Sequence, residues 1–413
     1  MNIIIVGGSL GGLFAGLALK RLGHNVHILE RNPTRLLQDQ GAGIVVGAET
    51  RDYIEQFDKS RQDIVVRSAF RHYLDIQGNE IHREDWPQYT TSWDLLYHIL
   101  RANFDGMESE YCTVTDQAGG TTIYDYDANV TDMKVDNDAV TIFYEQENEK
   151  KTIKGDVLIA ADGPSSSIRT LLYPNTERKY AGYIAWRGTI LESEASESLA
   201  SALIECITFF FAPGTQIIAY TIPGKNGTFK QGNRLINWVW YCNCKDLSDV
   251  LTDCDGKTHR WTLPPGKVNR KVWENQKKCA NHNLPPQFAE LVNKTQLPFV
   301  QTITDVLAPH ACHYNGRVVL LGDALAGFRP HTVASTSQAA FHASQLWQYM
   351  KNWCEWTNTK SLYEETVMAF AKHGVQHGQM LGNTSQFGHH KLDGKMIMAP
   401  PSIRDCVLCF SKS

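Results

Sequence analysis

The chain opens with MNIIIVGGSLGGLFAG (residues 1–16), and the reading of that stretch decides the fold. Ile3–Val6 is a short apolar, β-branched run, the pattern of a parallel strand buried on both faces. Gly7-Gly8-Ser9-Leu10-Gly11-Gly12 reads as a turn. LFAGLALKRLG then has apolar residues at helical spacing and stops at Gly23, a natural C′ glycine. NVHILE follows as a second strand ending on Glu30, an acid about 20 residues past the turn. A glycine pattern alone is weak, but strand, turn, helix and strand in this order are the context a nucleotide-binding unit requires. Gly7 makes the tight turn and Gly12 lets the helix approach the strand. Ser9 stands where the fingerprint usually has its second glycine. Its side chain is small, its hydroxyl can donate to a phosphate oxygen, and the helix N-terminus still presents free N–H groups there. Serine should weaken the pattern without removing the site. Glu30 is placed to accept from a ribose 2′-hydroxyl, and it would repel a 2′-phosphate.

Composition bounds the rest. At 413 residues, 42% hydrophobic and 20% charged, the chain suits two or three domains with proper interiors. A net charge of −4 argues against nucleic acid as a partner. No apolar run of about 18 residues is present, so no transmembrane segment is expected. The first strand starts at Asn2, leaving no room for a signal peptide, and the expected location is the cytoplasm. The ten cysteines are expected to be reduced thiols. CNC (Cys242, Cys244) and CVLC (Cys406, Cys409) lack a second Cys/His pair at zinc-like spacing. His373 and His377 sit one turn apart but without a third ligand, and GHHK (388–391) reads as a solvated stretch. No metal site is expected.

Two distant stretches narrow the ligand. DVLIAADGPSSSIR (156–169) is a strand followed by Asp162-Gly163 and a serine-rich helix start. GRVVLLGDALAGFRPHTVAS (316–335) is a strand followed by Gly322-Asp323-Ala324, then Pro330 before a small-residue helix start. An acid at the end of a buried strand costs free energy unless it is paired, so Asp323 is a candidate to receive a ribityl or sugar hydroxyl. Two glycine-associated acids so far apart suit one long ligand with two ends, which FAD is.

These stretches, with GAGIVVGAE (41–49), TSWDLLYHILR (91–101), YAGYIAWRG (180–188), IIAYTIPG (217–224) and RLINWVWY (234–241), resemble in order the group A flavoprotein monooxygenases, the para-hydroxybenzoate hydroxylase family. Within it the chain is most like the 2,6-dihydroxypyridine 3-hydroxylases, which also carry GGS in the first turn. The resemblance implies an FAD pyrophosphate turn at Gly7, Ser9, Leu10 and Gly12, and an adenosine-ribose acid at Glu30 followed by Arg31. It places Val130 (in YDANVTDMKV) by the adenine and Asp323 on the flavin side. Asp162-Gly163 falls in a motif linked to FAD and NAD(P)H, and Gly43 and Ala334 join the cofactor set. Two departures bear on FAD binding: Ser335 where many relatives have glycine after the proline, and Trp93 where many have arginine.

The implied chemistry is hydroxylation of an electron-rich aromatic, a phenol or hydroxypyridine, with O2 and with NADH or NADPH as reductant, through a flavin C4a-hydroperoxide. Pro330 and His331 are the candidates beside the flavin ring, His331 to stabilise or deprotonate a ring hydroxyl. Two other readings stay open. One is epoxidation, Baeyer–Villiger insertion or decarboxylative hydroxylation by the same flavin, and the other is a non-enzymatic flavin-binding protein. The expected fold is α/β: a Rossmann-like FAD-binding domain (1–75, 100–178 and 300–345), an inserted mixed or antiparallel β-sheet substrate domain (76–99 and 179–299), and a C-terminal helical segment (346–413). Tyr220, Trp238 and Trp240 are the candidate substrate contacts. Trp238 and Trp240 share one face of their strand and Asn237, Val239 and Tyr241 the other, and sequence leaves open which face meets the substrate. Whether the chain forms a homodimer is also left open.

Overall fold

A computed structural model describes residues 1–34 and 43–388. Its first layer is a largely parallel sheet in the order Cys312–His313, Val318–Leu320, Val157–Ala160, Asn2–Val6, Asn25–Leu29, Thr122–Asp125. Asn2–Val6 lies at the centre, with Ile4 facing Leu158 on one side and His27 on the other. Ile3, Ile4 and Ile5 are buried, as a strand covered on both faces must be. The helices Leu10–Arg21 and Ser335–Tyr349 pack against each other and share one apolar core with this sheet.

The second layer is a larger mixed sheet. Its order is Thr262–Leu263, Phe299–Leu307, Lys179–Leu191, Leu235–Asn243, Thr215–Ile222, Ile207–Ala212, Arg71–Leu74, Glu80–Glu84. The neighbours are antiparallel except Ile207–Ala212 and Arg71–Leu74, which run parallel. Side chains alternate between its faces. Trp186, Trp238 and Trp240 fall on one face and pack with Trp273, Phe288 and Leu291 of the helices Arg270–Asn283 and Pro286–Lys294. Ala185, Ile218, Tyr220, Val239 and Tyr241 fall on the other, turned toward the first layer.

Pairing redraws the expected domain boundaries in three places. Arg71–Leu74, expected with the first layer, completes the edge of the large sheet beside Ile207–Phe209. Phe299–Leu307, expected there from residue 300 on, pairs with Lys179–Leu191 in the same large sheet. Conversely Leu95, Leu96 and Ile99 of the helix Trp93–Asp105, expected on the substrate side, are buried in the core of the parallel sheet. In each case long-range pairing or apolar burial, invisible in local pattern, decides membership. The helix Trp353–Phe387 likewise buries Trp356, Tyr363, Val367 and Phe370 in that core, so it is part of the first layer's packing. No helix among the described residues is long and apolar enough to cross a membrane. Cys406, Cys409 and the histidines of GHHK lie outside the described residues.

Candidate active site

The first turn is built by steric necessity. Gly7 has φ +100°, and a Cβ there would sit 2.4 Å from the Ala161 carbonyl oxygen. A Cβ at Gly12 would meet the Gly7 carbonyl oxygen at 1.9 Å, so the helix is seated directly on the turn. Ser9 is the N-cap of Leu10–Arg21 in extended conformation, yet its hydroxyl makes no capping bond. The first intrahelical bond is Leu13 N–H to Ser9 C=O, so the N–H groups of Leu10, Gly11 and Gly12 have no intrahelical acceptor. With no acid in its first turn, the helix presents a positive dipole end and a free hydroxyl to a cavity that Gly7, Ser9 and Leu10 line. Glu30 is buried and accepts from the N–H groups of Gly8 (2.7 Å) and Asn32 (2.8 Å). Each carboxylate oxygen keeps a further lone pair for a hydroxyl. Exposed Arg31 and buried Val130 line the same end.

The second end is formed by the two Asp-containing loops. Asp162 Oδ2 accepts from Ser167 N–H (2.7 Å) and hydroxyl (2.9 Å), while its buried Oδ1 has no partner. Arg169 donates to the carbonyls of Pro164 (2.6 Å) and Ala324 (2.8 Å) and so holds the two loops together. His342 Nδ1 accepts from Gly322 N–H at 3.1 Å. Neither of these positioning residues was singled out from sequence, although Arg169 closes the ADGPSSSIR stretch. Asp323 lines the cavity, and burial lifts its carboxyl to about 6 against the opposing pull of Arg178 and Arg169.

One cavity of about 1000 Å³ connects both ends and continues over the large sheet, at the top of the size range for ligand sites. Glycines without room for a Cβ, a free helix N-terminus, an orphaned Asp162 oxygen and an acid at each end fit FAD. Gly43 contributes by close approach: its N–H donates to Asn237 Oδ1 at 2.9 Å, and a Cβ there would meet the Tyr220 ring at 2.6 Å. Tyr220 and Pro330 line the cavity. Trp93 lines it too, stacked on Tyr97 at 4.8 Å between ring centroids. Gly12 and Ala334 are not among the lining residues; Gly12 acts through helix packing, and Ala334 is buried between lining Val333 and Ser335.

Trp238 and Trp240 are corrections. Both are under 2% exposed and face the helix layer, with Trp238 Nε1 donating to Thr295 Oγ1 at 2.9 Å. The opposite face of their strand, with Val239 and Tyr241, lines the cavity.

His331 lines the cavity on the short turn Pro330–Thr332. Its Nε2 lies 3.0 Å from the Tyr183 hydroxyl, its ring centroid 4.2 Å from that of Tyr241, and its buried Nδ1 has no partner. Burial, reinforced by the Arg329 charge, holds the imidazole down to about 3, so it is neutral at physiological pH. Arg329 itself is paired with Asp305 at 2.9 Å. Val333, next on the cavity wall, adopts φ +52°, a left-handed conformation that is strained for a β-branched residue. The glycine signal missed at Ser335 therefore belongs to a turn whose left-handed residue is Val333.

Comparison with known proteins agrees with this geometry. A family described as FAD binding domain-like matches residues 180–305. The chain is 28% identical over 354 residues to 2,6-dihydroxypyridine 3-monooxygenase of Paenarthrobacter nicotinovorans, covering 84% of this chain and 81% of that protein. It is 25% identical over 347 residues to the FAD-dependent monooxygenase ntnJ of Nectria sp, covering 82% and 73%. The solved structure of 2,6-dihydroxypyridine-3-hydroxylase from Arthrobacter nicotinovorans superimposes with a TM-score of 0.84 over 97% of each chain at 25% identity. Sequence likeness over most of the chain and fold likeness over nearly all of it converge: the chain is similar to FAD-dependent monooxygenases that act on aromatic rings.

Proposed function

We propose that the chain hydroxylates a hydroxypyridine- or phenol-like ring, consuming O2 and NADH or NADPH and releasing water. The observation that carries this reading is the single cavity, with dinucleotide features at one end and an aromatic-lined sheet face at the other. When bound, FAD would supply electron transfer from NAD(P)H to O2 and delivery of one oxygen atom to the ring.

The chain's own residues would bind, orient and manage protons. Glu30 and Asp323 would accept the ribose and ribityl hydroxyls, and Ser9 with the first helix N-terminus would hold the pyrophosphate. Ile218, Val239 and Tyr241 would exclude water from the reacting ring. His331 would work in its neutral form. The Tyr183 hydroxyl lies 3.0 Å from His331 Nε2 and is placed to donate to it, which would put the imidazole proton on Nδ1. A neutral Nδ1–H would donate to a ring oxygen of the substrate, a role better suited to an imidazole held near 3 than standing general base. The cysteines among the described residues are free thiols, which suits a cytoplasmic setting.

The test follows NAD(P)H absorbance and peroxide together with purified holo-protein across phenols and hydroxypyridines. Slow oxidation by the enzyme alone and a rise of at least about tenfold with the right ring are expected, about 1.4 kcal/mol off the barrier. Fast oxidation without any aromatic, unchanged when one is added, would point to an oxidase.

A further inference from the structure

We propose that the sheet end of the cavity binds its aromatic substrate as an oxyanion, a carboxylate or an ionised ring hydroxyl, through Arg187 with the Asn237 amide beside it. This deepens the hydroxylase reading and rests on it.

The first observation is where charge lies on the cavity wall. Its carboxylates are Glu30, Asp162 and Asp323, all at the nucleotide end, whereas the strands of the large sheet contribute Arg71 and Arg187 and no acid. The second is how arginines are partnered. Arg101, Arg234 and Arg329 each have a carboxylate within 2.9 Å. Arg187 has no carboxylate in ion-pair reach among the described residues. Its Nη1 meets Gln301 Oε1 only at 3.5 Å, and its buried Nε has no partner. A cation turned into a partly apolar wall without a counter-charge is costly unless a ligand supplies one.

The third observation is Asn237, 1% exposed. Its Oδ1 accepts from Gly43 N–H, which fixes the amide orientation and leaves Nδ2 as a buried donor with no partner. Arg187 is paired with Val239 across the sheet, and Asn237 lies two residues along from Val239 on the same face. The two side chains are therefore diagonal neighbours, within about 8 Å at their Cα atoms. Tyr220 and Tyr241 flank them, and the Arg187 charge acts on both hydroxyls. Tyr241 in turn packs against His331, their ring centroids 4.2 Å apart, so an anion held here would keep its ring beside the Pro330–His331 wall. Arg71 is a poor second anchor for the same group. It lies four strands away, roughly 19 Å at about 4.8 Å per strand, and its Nε donates to Gln88 Oε1.

The experiment uses the FAD-loaded protein and matched pairs of aromatics, a hydroxybenzoate against the same hydroxybenzamide and a dihydroxypyridine against its dimethoxy analogue. Dissociation constants are read from perturbation of flavin absorbance. The acidic member of each pair is expected to bind at least about tenfold tighter, with the pyridine preference growing as pH rises and the benzoate preference flat between pH 6 and 8. Arg187→Met should abolish the preference while leaving FAD content unchanged, and Arg187→Lys should restore part of it. Equal affinity for neutral and anionic partners in the wild type, or equal weakening of both in Arg187→Met with normal FAD content, would overturn the proposal. If the anion preference is present but no aromatic stimulates NAD(P)H oxidation, the hydroxylase reading fails and the anion site stands.

Discussion

The nucleotide end and the sheet end of the cavity are made in opposite ways. At the nucleotide end, backbone makes most of the surface that a cofactor would meet. Gly7 and Gly12 have no room for a side chain, the helix start offers unsatisfied N–H groups, and Glu30 is fixed by two backbone donors. At the sheet end, side chains from separate strands converge: Arg187, Tyr220 and Tyr241 line the cavity, and buried Asn237 holds Gly43 of a small neighbouring sheet over them. A backbone site tolerates little change of residue but is written in one local stretch. A side-chain site can be retuned residue by residue, and its members are related only by strand register.

The largest expected effect breaks this comparison if it goes the wrong way. Trp238→Ala should cost about 3–5 kcal/mol of stability by emptying the helix-covered core, with little change in ligand affinity measured on the fraction that stays folded. Denaturant unfolding together with ligand titration checks it. Altered aromatic affinity with unchanged stability would mean that the two faces of the Leu235–Asn243 strand have been exchanged.

Glu30→Ala comes next. It removes a charged acceptor, worth roughly 1.5–3 kcal/mol, so the FAD dissociation constant should rise about tenfold or more. Titration of the apo-protein with FAD reads it directly, and an unchanged constant would show that the cofactor lies elsewhere.

Asp323 sharpens the contrast because the role proposed for it toward the ligand comes at the expense of the fold. Its carboxyl titrates near 6 in the folded protein, above its ordinary value of 3.8. The folded state therefore binds the proton more tightly, and this group's contribution to stability falls as pH rises from about 4 to about 6. Asp323→Asn should raise the melting temperature of the apo-protein above pH 6, with the gain fading below pH 4, while weakening FAD binding. A variant that melts lower than wild type at pH 7 would mean that the carboxylate is stabilised by partners rather than strained by burial.

The smallest effect concerns Ser9. The helix end already supplies N–H donors, so Ser9→Gly should change FAD affinity by about threefold or less, under 0.7 kcal/mol. A loss of ten times or more would make the hydroxyl a principal phosphate ligand.

The same division explains what sequence could reveal. The first βαβ unit, and the places of Glu30 and both Asp loops on the cavity wall, were legible because each is set by local strand, turn and helix geometry. Trp238 and Trp240 were misplaced because alternation groups side chains by face without saying which face is covered; the helices that cover it, Arg270–Asn283 and Pro286–Lys294, come later in the chain. Arg71 could not be assigned to the sheet because its parallel pairing with Ile207 joins segments distant in sequence. Arg187 sits inside a recognised stretch, YAGYIAWRG, but its lack of a carboxylate partner is a property of the folded cavity alone.

The most direct test of the central claim is oxygen incorporation. Holo-protein is supplied with NAD(P)H, isotopically labelled O2 and the hydroxypyridine or phenol that most stimulates NAD(P)H oxidation, and the ring product is analysed by mass spectrometry. One labelled oxygen per product, with one NAD(P)H consumed for each and little peroxide, is the expected result. Consumption of NAD(P)H that yields only labelled peroxide with every ring tested, or oxygen entering the product from water, would contradict it.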